Sequence, residues 1–206
     1  MKLDTLLSRG LKTMHLDLPP AAPARLIAFV RLLEKWNRQY NLTAVRDPEQ
    51  MIPRHLLDSL SVLPYLNGTR VLDIGTGAGL PGIPLALARP EIQFTLLDSN
   101  AKKLSFVRQA LHELDIENVT VIQERVEKFH PEVKFDTLMA RALASLSEIQ
   151  ALSAHLFAPG ARLLAMKGVF PQAELAAMAG NYRIDIKTLA VPGLDAERHL
   201  VILEPH

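Results

Sequence analysis

As a pattern of apolar and polar positions, the chain changes character near residue 67. Residues 24 to 40 place Leu26, Ile27, Val30, Leu33 and Asn37 on one helical stripe, with Arg31, Lys35 and Arg38 on another face. The Pro19-Pro20 break precedes this helix and Asn41-Leu42-Thr43 ends it. A second helix carrying Ile52, Leu56, Leu57 and Leu60 leads to a turn at Asn67-Gly68. Beyond it, short apolar runs alternate with helical patterns. Strands are expected over 71–74, 94–97, 119–122, 137–140, 163–166, 184–189 and 199–203, with helices near 83–88, 101–114, 145–157 and 171–179. This alternation predicts an α/β fold, a mainly parallel sheet wrapped by helices. Pro192-Gly193 joins the last two strands as a long hairpin, which makes the final strand antiparallel.

At 206 residues the chain can enclose a core without a metal or disulfide staple. It has no cysteine, which excludes a disulfide framework, a thiolate metal site and a cysteine nucleophile, and no metal is expected. No stretch approaches the roughly 20 apolar residues of a membrane span, and the start lacks the segments of a secretion signal, so a cytoplasmic protein with no membrane partner is expected. Net charge is +1, but residues 1 to 70 hold ten Lys and Arg against six Asp and Glu. A basic first third suits a phosphate-rich partner, and makes Arg31, Lys35 and Arg38 candidate RNA contacts. The same cations also suit an ordinary solvated helix face.

The segment from Val71 to Gly82 reads VLDIGTGAGLPG, an apolar strand running into a glycine-rich turn and a helix that begins near Pro84. Gly77 to Gly82 also satisfies the GxGxxG pattern of dinucleotide sites, so two cofactors compete. A nicotinamide site sets a pyrophosphate on the helix N-terminus and has no use for an acid just ahead of the glycines. Here Asp73 stands two residues before Gly75, and Pro81 falls where a helix should already be running. A carboxylate there suits S-adenosylmethionine, with its ammonium and cationic sulfur, and makes Asp73, Gly75, Gly77 and Gly79 candidate cofactor residues. Asp98 ends the next apolar run 19 residues beyond Gly79, where a carboxylate can accept both ribose hydroxyls. Asp98 equally suits a helix N-cap. The run Gln123 to Glu127 follows the third strand, where an adenine edge usually lies, although a solvated charge run explains it as well.

The residues also narrow the chemistry. Methylation at cytosine or uracil C5 by the usual route needs a cysteine, and there is none. The loop after the fourth strand, Leu138 to Leu143, lacks the Pro-Pro-aromatic signature of exocyclic amine methylation. Ring nitrogens, ribose hydroxyls, proteins and small molecules remain. Guanine N7 carries an in-plane lone pair and no proton, so positioning would supply most of the catalysis. Arg141 and Lys167 close the fourth and fifth strands at the sheet edge where ligands bind, and are the candidate catalytic cations that could hold guanine O6. Strand-end cations are also common solubilisers. His55 and Asp58, three apart, would share a helical face, either as a buried polar pair docking the first helices or as a contact to RNA or cofactor. Trp36 suits the core better than a base-stacking role.

With these residues in view, the chain resembles a known family, the small-subunit ribosomal RNA guanine-N7 methyltransferases, also called the glucose-inhibited division protein B family. The likeness spans essentially the whole sequence. It rests on Trp36-Asn37 with Tyr40 to Thr43, Arg54-His55 with Leu57 to Ser59, Asp73 to Gly82, Leu97 to Ser99 with Lys102-Lys103, Arg125 to Glu127, Arg141-Ala142 and Met166 to Gly168. The resemblance implies a Rossmann-like seven-stranded class I methyltransferase domain over 67–206 with an N-terminal helical extension over 1–66. It implies a monomeric bacterial enzyme that methylates one guanine of 16S rRNA near the decoding site, on the RNA or the small ribosomal subunit. It implies S-adenosylmethionine bound at Gly75, Leu80, Val126, Glu127 and Arg141. A methyltransferase acting on a small molecule or protein, and a cofactor sensor without turnover, are the alternatives.

Overall fold

The apolar runs pair into one seven-stranded sheet in the order β3-β2-β1-β4-β5-β7-β6. The computed structural model describes residues 2–141, 144–176, 178 and 182–206. The strands are β1 (Arg70–Ile74), β2 (Gln93–Asp98), β3 (Val119–Gln123), β4 (Phe135–Arg141), β5 (Phe157–Lys167), β6 (Tyr182–Thr188) and β7 (His199–Pro205). Pairings from β3 through β5 are parallel, whereas β7 lies between β5 and β6 and runs antiparallel to both. The expected antiparallel final strand is therefore found, inserted rather than at the edge.

Alternation along β1 explains how the sheet is covered. Val71 packs into one apolar cluster while Leu72 and Ile74 pack into the other, because successive side chains of a strand point to opposite faces. On the first face lie α1 (Leu3–Thr13), α2 (Ala22–Tyr40), α5 (Gly82–Ala88) and α6 (Ala101–Glu113); on the second lies α7 (Leu146–Ser153). The expected stripe of α2 is buried, with Leu26, Ile27, Val30, Leu33 and Asn37 all enclosed. Its far end turns on Asn41 in the left-handed conformation at φ 49°. Arg25 near its start donates to the Leu114 and Asp115 carbonyls after α6, and Lys102 near the start of α6 sits over the Tyr40 ring, so the two helices run in opposite directions. Trp36 is wedged between Tyr40 and Phe106, in a packing role.

Two expected helices differ in form. The helix expected through Ile52 to Leu60 is broken into α3 (Pro48–Met51), a π-helical stretch Ile52–Leu57 and α4 (Asp58–Leu60). Pro53 has no N–H to donate, and the wider π turn rotates the residues after it about the helix axis. The helix expected over 145–157 ends at Ser153, a 3₁₀ turn Ala154–Leu156 comes next, and β5 begins at Phe157. The helix expected over 171–179 is found as α8 (Gln172–Ala176), with residues 177 and 179 outside the described set.

Gly82, the first residue of α5, has no room for a side chain. A Cβ there would lie 2.1 Å from Leu96 Cδ2 and 2.9 Å from Asp73 Oδ2, both on fully buried residues. Gly82→Ala should therefore cost about 1 to 3 kcal/mol of stability, read as a lowered midpoint of urea unfolding; an unchanged midpoint would show that α5 and β2 separate without strain.

Candidate cofactor site

The strand order reverses between β1 and β4, and in open parallel sheets ligands bind where the order reverses, beyond the carboxyl ends of the strands. A crevice of about 700 Å³ opens there, within the usual range for cofactor sites. Its floor is the glycine turn after β1. Gly75 and Gly77 line it with φ of 69° and 59°, left-handed values that cost glycine little. A Cβ at Gly77 would meet nothing nearer than 4.0 Å, so a ligand can approach this backbone closely.

Hydrogen bonds to the strands hold the turn. The amides of Gly75 and Thr76 both donate to the Leu97 carbonyl at the end of β2, 2.8 and 3.1 Å away. The Asp98 carboxylate accepts from the Gly77 amide at 2.8 Å and from the Asn100 amide at 2.8 Å. Each oxygen keeps acceptor capacity towards the crevice, which Asp98 lines. The side-chain cap of α6 is Asn100, which accepts from Lys103, so Asp98 is not the N-cap.

Asp73 sits differently from the expectation that it would face the cofactor. It is fully buried beneath the turn, where one oxygen accepts from the Thr76 hydroxyl at 2.7 Å and the Gly82 amide at 3.0 Å. Its other oxygen has no partner among the described residues. Burial pushes this carboxyl up to about 6, against the lowering by the Thr76 and Gly82 hydrogen bonds. Asp73 thus shapes the turn and its field without touching the crevice, as its absence from the lining agrees. Gly79 likewise lies behind the surface, with Ile83 against it, while Leu80 lines the crevice.

Other segments supply the remaining walls, among them Ser99 and Lys103 after β2 and Ala144 and Leu152 around α7. Glu124, Arg125, Val126 and Glu127 lie beyond β3, as the spacing predicts. Arg141 lines the crevice at the end of β4. Leu42 and Thr43, beyond α2, also line it, a role that their motif marks only as a helix end. They are held by a small polar network. Asn37 accepts from the Thr43 amide at 2.9 Å and donates to the Val45 carbonyl at 3.0 Å. The Thr43 hydroxyl accepts from Val45 and lies 2.9 Å from His55 Nε2, while His55 Nδ1 is 2.9 Å from the Arg54 carbonyl. Burial, then the Arg141 charge, lowers the His55 imidazole to about 4. The ring is neutral at physiological pH: Nδ1–H donates to Arg54, and Nε2 accepts from Thr43.

His55 and Asp58 do not pair with each other, because the π turn between them rotates their side chains apart. Asp58, with a side chain 5% exposed, instead accepts from Arg198 Nε at 2.9 Å and Arg141 Nη1 at 3.3 Å. Arg198 has no motif to mark it; it precedes the antiparallel β7, whose start lies at the same sheet edge as the end of β5. Lys167 does not line the crevice. Its ammonium donates to the Ala144 carbonyl at 2.9 Å and to Glu174 at 2.8 Å, bracing the segment after β4 against α8. Arg31 and Lys35 share a surface depression with Asp4 and Glu113, and Arg38 is paired with Glu34 at 2.6 Å. Arg31 stands ten residues, about 15 Å, below the helix end that reaches the crevice.

Comparison with known proteins shows the family. A family described as GidB, rRNA small subunit methyltransferase G, matches residues 23–201. The chain belongs to this family. Ribosomal RNA small subunit methyltransferase G of Aromatoleum aromaticum is 52% identical over 204 residues, covering 96% of this chain and 97% of the relative. The protein of that name from Nitrosococcus oceani is 50% identical over 204 residues, covering 98% and 95%. Among solved structures, a putative O-methyltransferase from Klebsiella pneumoniae superposes with a TM-score of 0.60 at 15% identity, covering 86% of this chain and 90% of that one. The N-methyltransferase NodS from Bradyrhizobium japonicum, in complex with S-adenosyl-L-homocysteine, superposes with a TM-score of 0.58 at 14% identity, covering 84% and 98%. The fold is the Rossmann-like class I methyltransferase fold expected. Family membership makes the chain an S-adenosylmethionine-dependent methyltransferase. The donor set fits that group: a turn of bare backbone and a carboxylate, Asp98, with spare acceptors at the crevice.

Asp73 and His55 oppose each other in pH. Below about pH 4 Asp73 is protonated whether folded or not; between about 4 and 6 the unfolded chain ionises first, so Asp73 costs stability as pH rises, on the order of 3 kcal/mol when complete. His55 acts inversely: the unfolded ring takes a proton below about 6.5 and the folded one only near 4, so its stabilising contribution is lost as pH falls through that window. Asp73→Asn removes only the first effect. Its unfolding free energy, measured in urea from pH 4.5 to 7.5, should rise relative to the parent protein as pH rises; a constant difference would show that Asp73 ionises at its ordinary pH.

Proposed function

We propose that this chain transfers the methyl group of S-adenosylmethionine to N7 of one guanine in 16S rRNA near the decoding site. It would act in the cytoplasm as a monomer, on the RNA or the assembled small subunit. The observation that carries the reading is the crevice at the β1/β4 reversal in a chain of the rRNA small subunit methyltransferase G family. Among the described residues no helix is long and apolar enough to cross a membrane, which is compatible with this setting.

The roles follow from placement. Asp98 takes the ribose hydroxyls, the Gly75 to Gly77 backbone receives the methionyl part, and Val126 and Glu127 flank the adenine. Asp73 and Gly79 support that turn, and Leu80 closes its far side. Residues 1–66 act as a helical extension that lends Leu42, Thr43 and Asp58 to the site of domain 67–206. When bound, the cofactor supplies an electrophilic methyl group on a cationic sulfur. The acceptor would be the in-plane lone pair of guanine N7, which the chain's residues would hold in line with that methyl group. No proton leaves N7, so no general base is required, and placement of the base becomes the main task. Of the cations that line the crevice, Lys103, Arg125 and Arg141, Arg141 at the end of β4 is the one we assign to O6 of that base. Lys167 serves by bracing Ala144 beside it. The absence of cysteine removes the C5 route. The loop reading against amine methylation extends to Ala142 and Leu143, which lie outside the described residues. Contacts from Arg31, Lys35 and Arg38 would require RNA to follow the flank of α2.

Small subunits from a strain lacking its own such enzyme, incubated with this protein and S-adenosylmethionine, should yield 16S rRNA cleaved at one guanine after borohydride and aniline, with no cleavage without cofactor. RNA that takes up labelled methyl yet stays intact would contradict N7 as the acceptor.

A further inference from the structure

The sheet edge beyond Arg141 carries an exposed apolar tip that the cofactor crevice does not use. The link from β5 to α8 projects Val169, 77% exposed, and Phe170, 46% exposed. Phe170 has a fixed neighbour: its ring stands edge to face with His199, centroids 5.5 Å apart at 82°. His199 is buried at the start of β7 and is paired across to Lys167. Arg141 pairs with Met166 on the neighbouring strand, so two strand spacings, about 10 Å, separate β4 from β7 along this edge.

Arg198 fills the interval. A Cβ at Gly168 would lie 3.7 Å from its Nη1, so the guanidinium sits beside the backbone leading to Phe170. Asp58 holds Arg198 by one oxygen and Arg141 by the other. The side chains of Arg141 and Arg198 are 23% and 25% exposed, and two cations on one buried anion leave the edge positive. Cofactor crevice, Arg141, Arg198 and Phe170 thus succeed one another along the edge.

We propose that this edge is a single-stranded RNA track, on which an unpaired base neighbouring the methylated guanine stacks on Phe170 while Arg198 meets the phosphate between them. Asp58 is the positioning residue that holds the two arginines in register. The proposal rests on the reading of 16S rRNA as substrate and names how that substrate is held. A nucleotide suits the patch better than a protein: one aromatic ring beside an arginine matches a base and its phosphate, whereas a protein interface needs several hundred Å² of apolar contact per partner. Unstacked bases held on aromatic rings are the usual means of gripping RNA loops.

The test compares Phe170→Ala, Phe170→Leu and Phe170→Tyr in methylation of the same small subunits, with S-adenosylhomocysteine affinity measured by calorimetry. The alanine and leucine variants should each raise KM for subunits about fivefold or more, the range of one lost base stack, while tyrosine stays within about twofold. Cofactor affinity and kcat at saturating subunits should not move. Wild-type KM in the alanine variant would overturn the track, and so would wild-type KM in the leucine variant with a loss in alanine, which is the signature of apolar contact with a ribosomal protein. Absence of turnover in the parent protein would instead count against the rRNA reading and take the track with it.

Discussion

The glycine turn after β1 is held in shape by two carboxylates. Asp73 ties Thr76 to Gly82 from below, and Asp98 holds the Gly77 amide from the side. With left-handed φ at Gly75, Gly77 and Gly79, the turn places its amides separately: Gly75 donates to the Leu97 carbonyl at the end of β2, Gly77 to Asp98, and Gly79 to the Thr76 carbonyl within the turn. Everything else in the site is placed against this turn. One consequence is electrostatic: Asp98 lines the crevice and Asp73 lies beneath its floor, so the charge of a cationic ligand would offset part of the cost of keeping Asp73 buried.

A third buried anion, Asp58, ties the helical layer to the sheet edge. It comes from the segment broken by Pro53, and its two partners come from the end of β4 and the approach to β7, 83 and 140 residues away in sequence. A lone buried carboxylate would be costly, and so would two facing guanidiniums; together the three are mutually compensating. The same helical layer delivers Leu42 and Thr43 to the crevice through Asn37 and the neutral His55. The first 66 residues are thus part of the site's construction, and the core they share with the sheet is continuous from Leu7 to Phe94.

Much of this is legible in the sequence because it is local. All seven strands are marked by short apolar runs, and the glycine turn with Asp98 is marked by spacing. The hidden parts depend on register and distant partners. Arg198 carries no local signal until the antiparallel pairing brings Lys167 and His199 to one edge. Lys167 reads as a free strand-end cation until α8 places Glu174 against it. Asp73 reads as a ligand because its spacing from the glycines is right, but whether a carboxylate points to the crevice or under the turn is decided by strand alternation and the packing of α5. The π turn that separates His55 from Asp58 is concealed because helical periodicity assumes 3.6 residues per turn throughout.

The chain's own acids supply the hydrogen bonds that shape the cofactor turn. Amide hydrogen exchange of Gly77 and Gly82, followed by NMR in the free protein and with S-adenosylhomocysteine, decides whether this is so. Both amides are bonded to carboxylates of the chain itself, so both should be strongly protected in the free protein, with little further gain at Gly82 on binding. Rapid exchange at both glycines in the free protein, with protection appearing only when the ligand is added, would mean that binding forms the turn and that the acids do not.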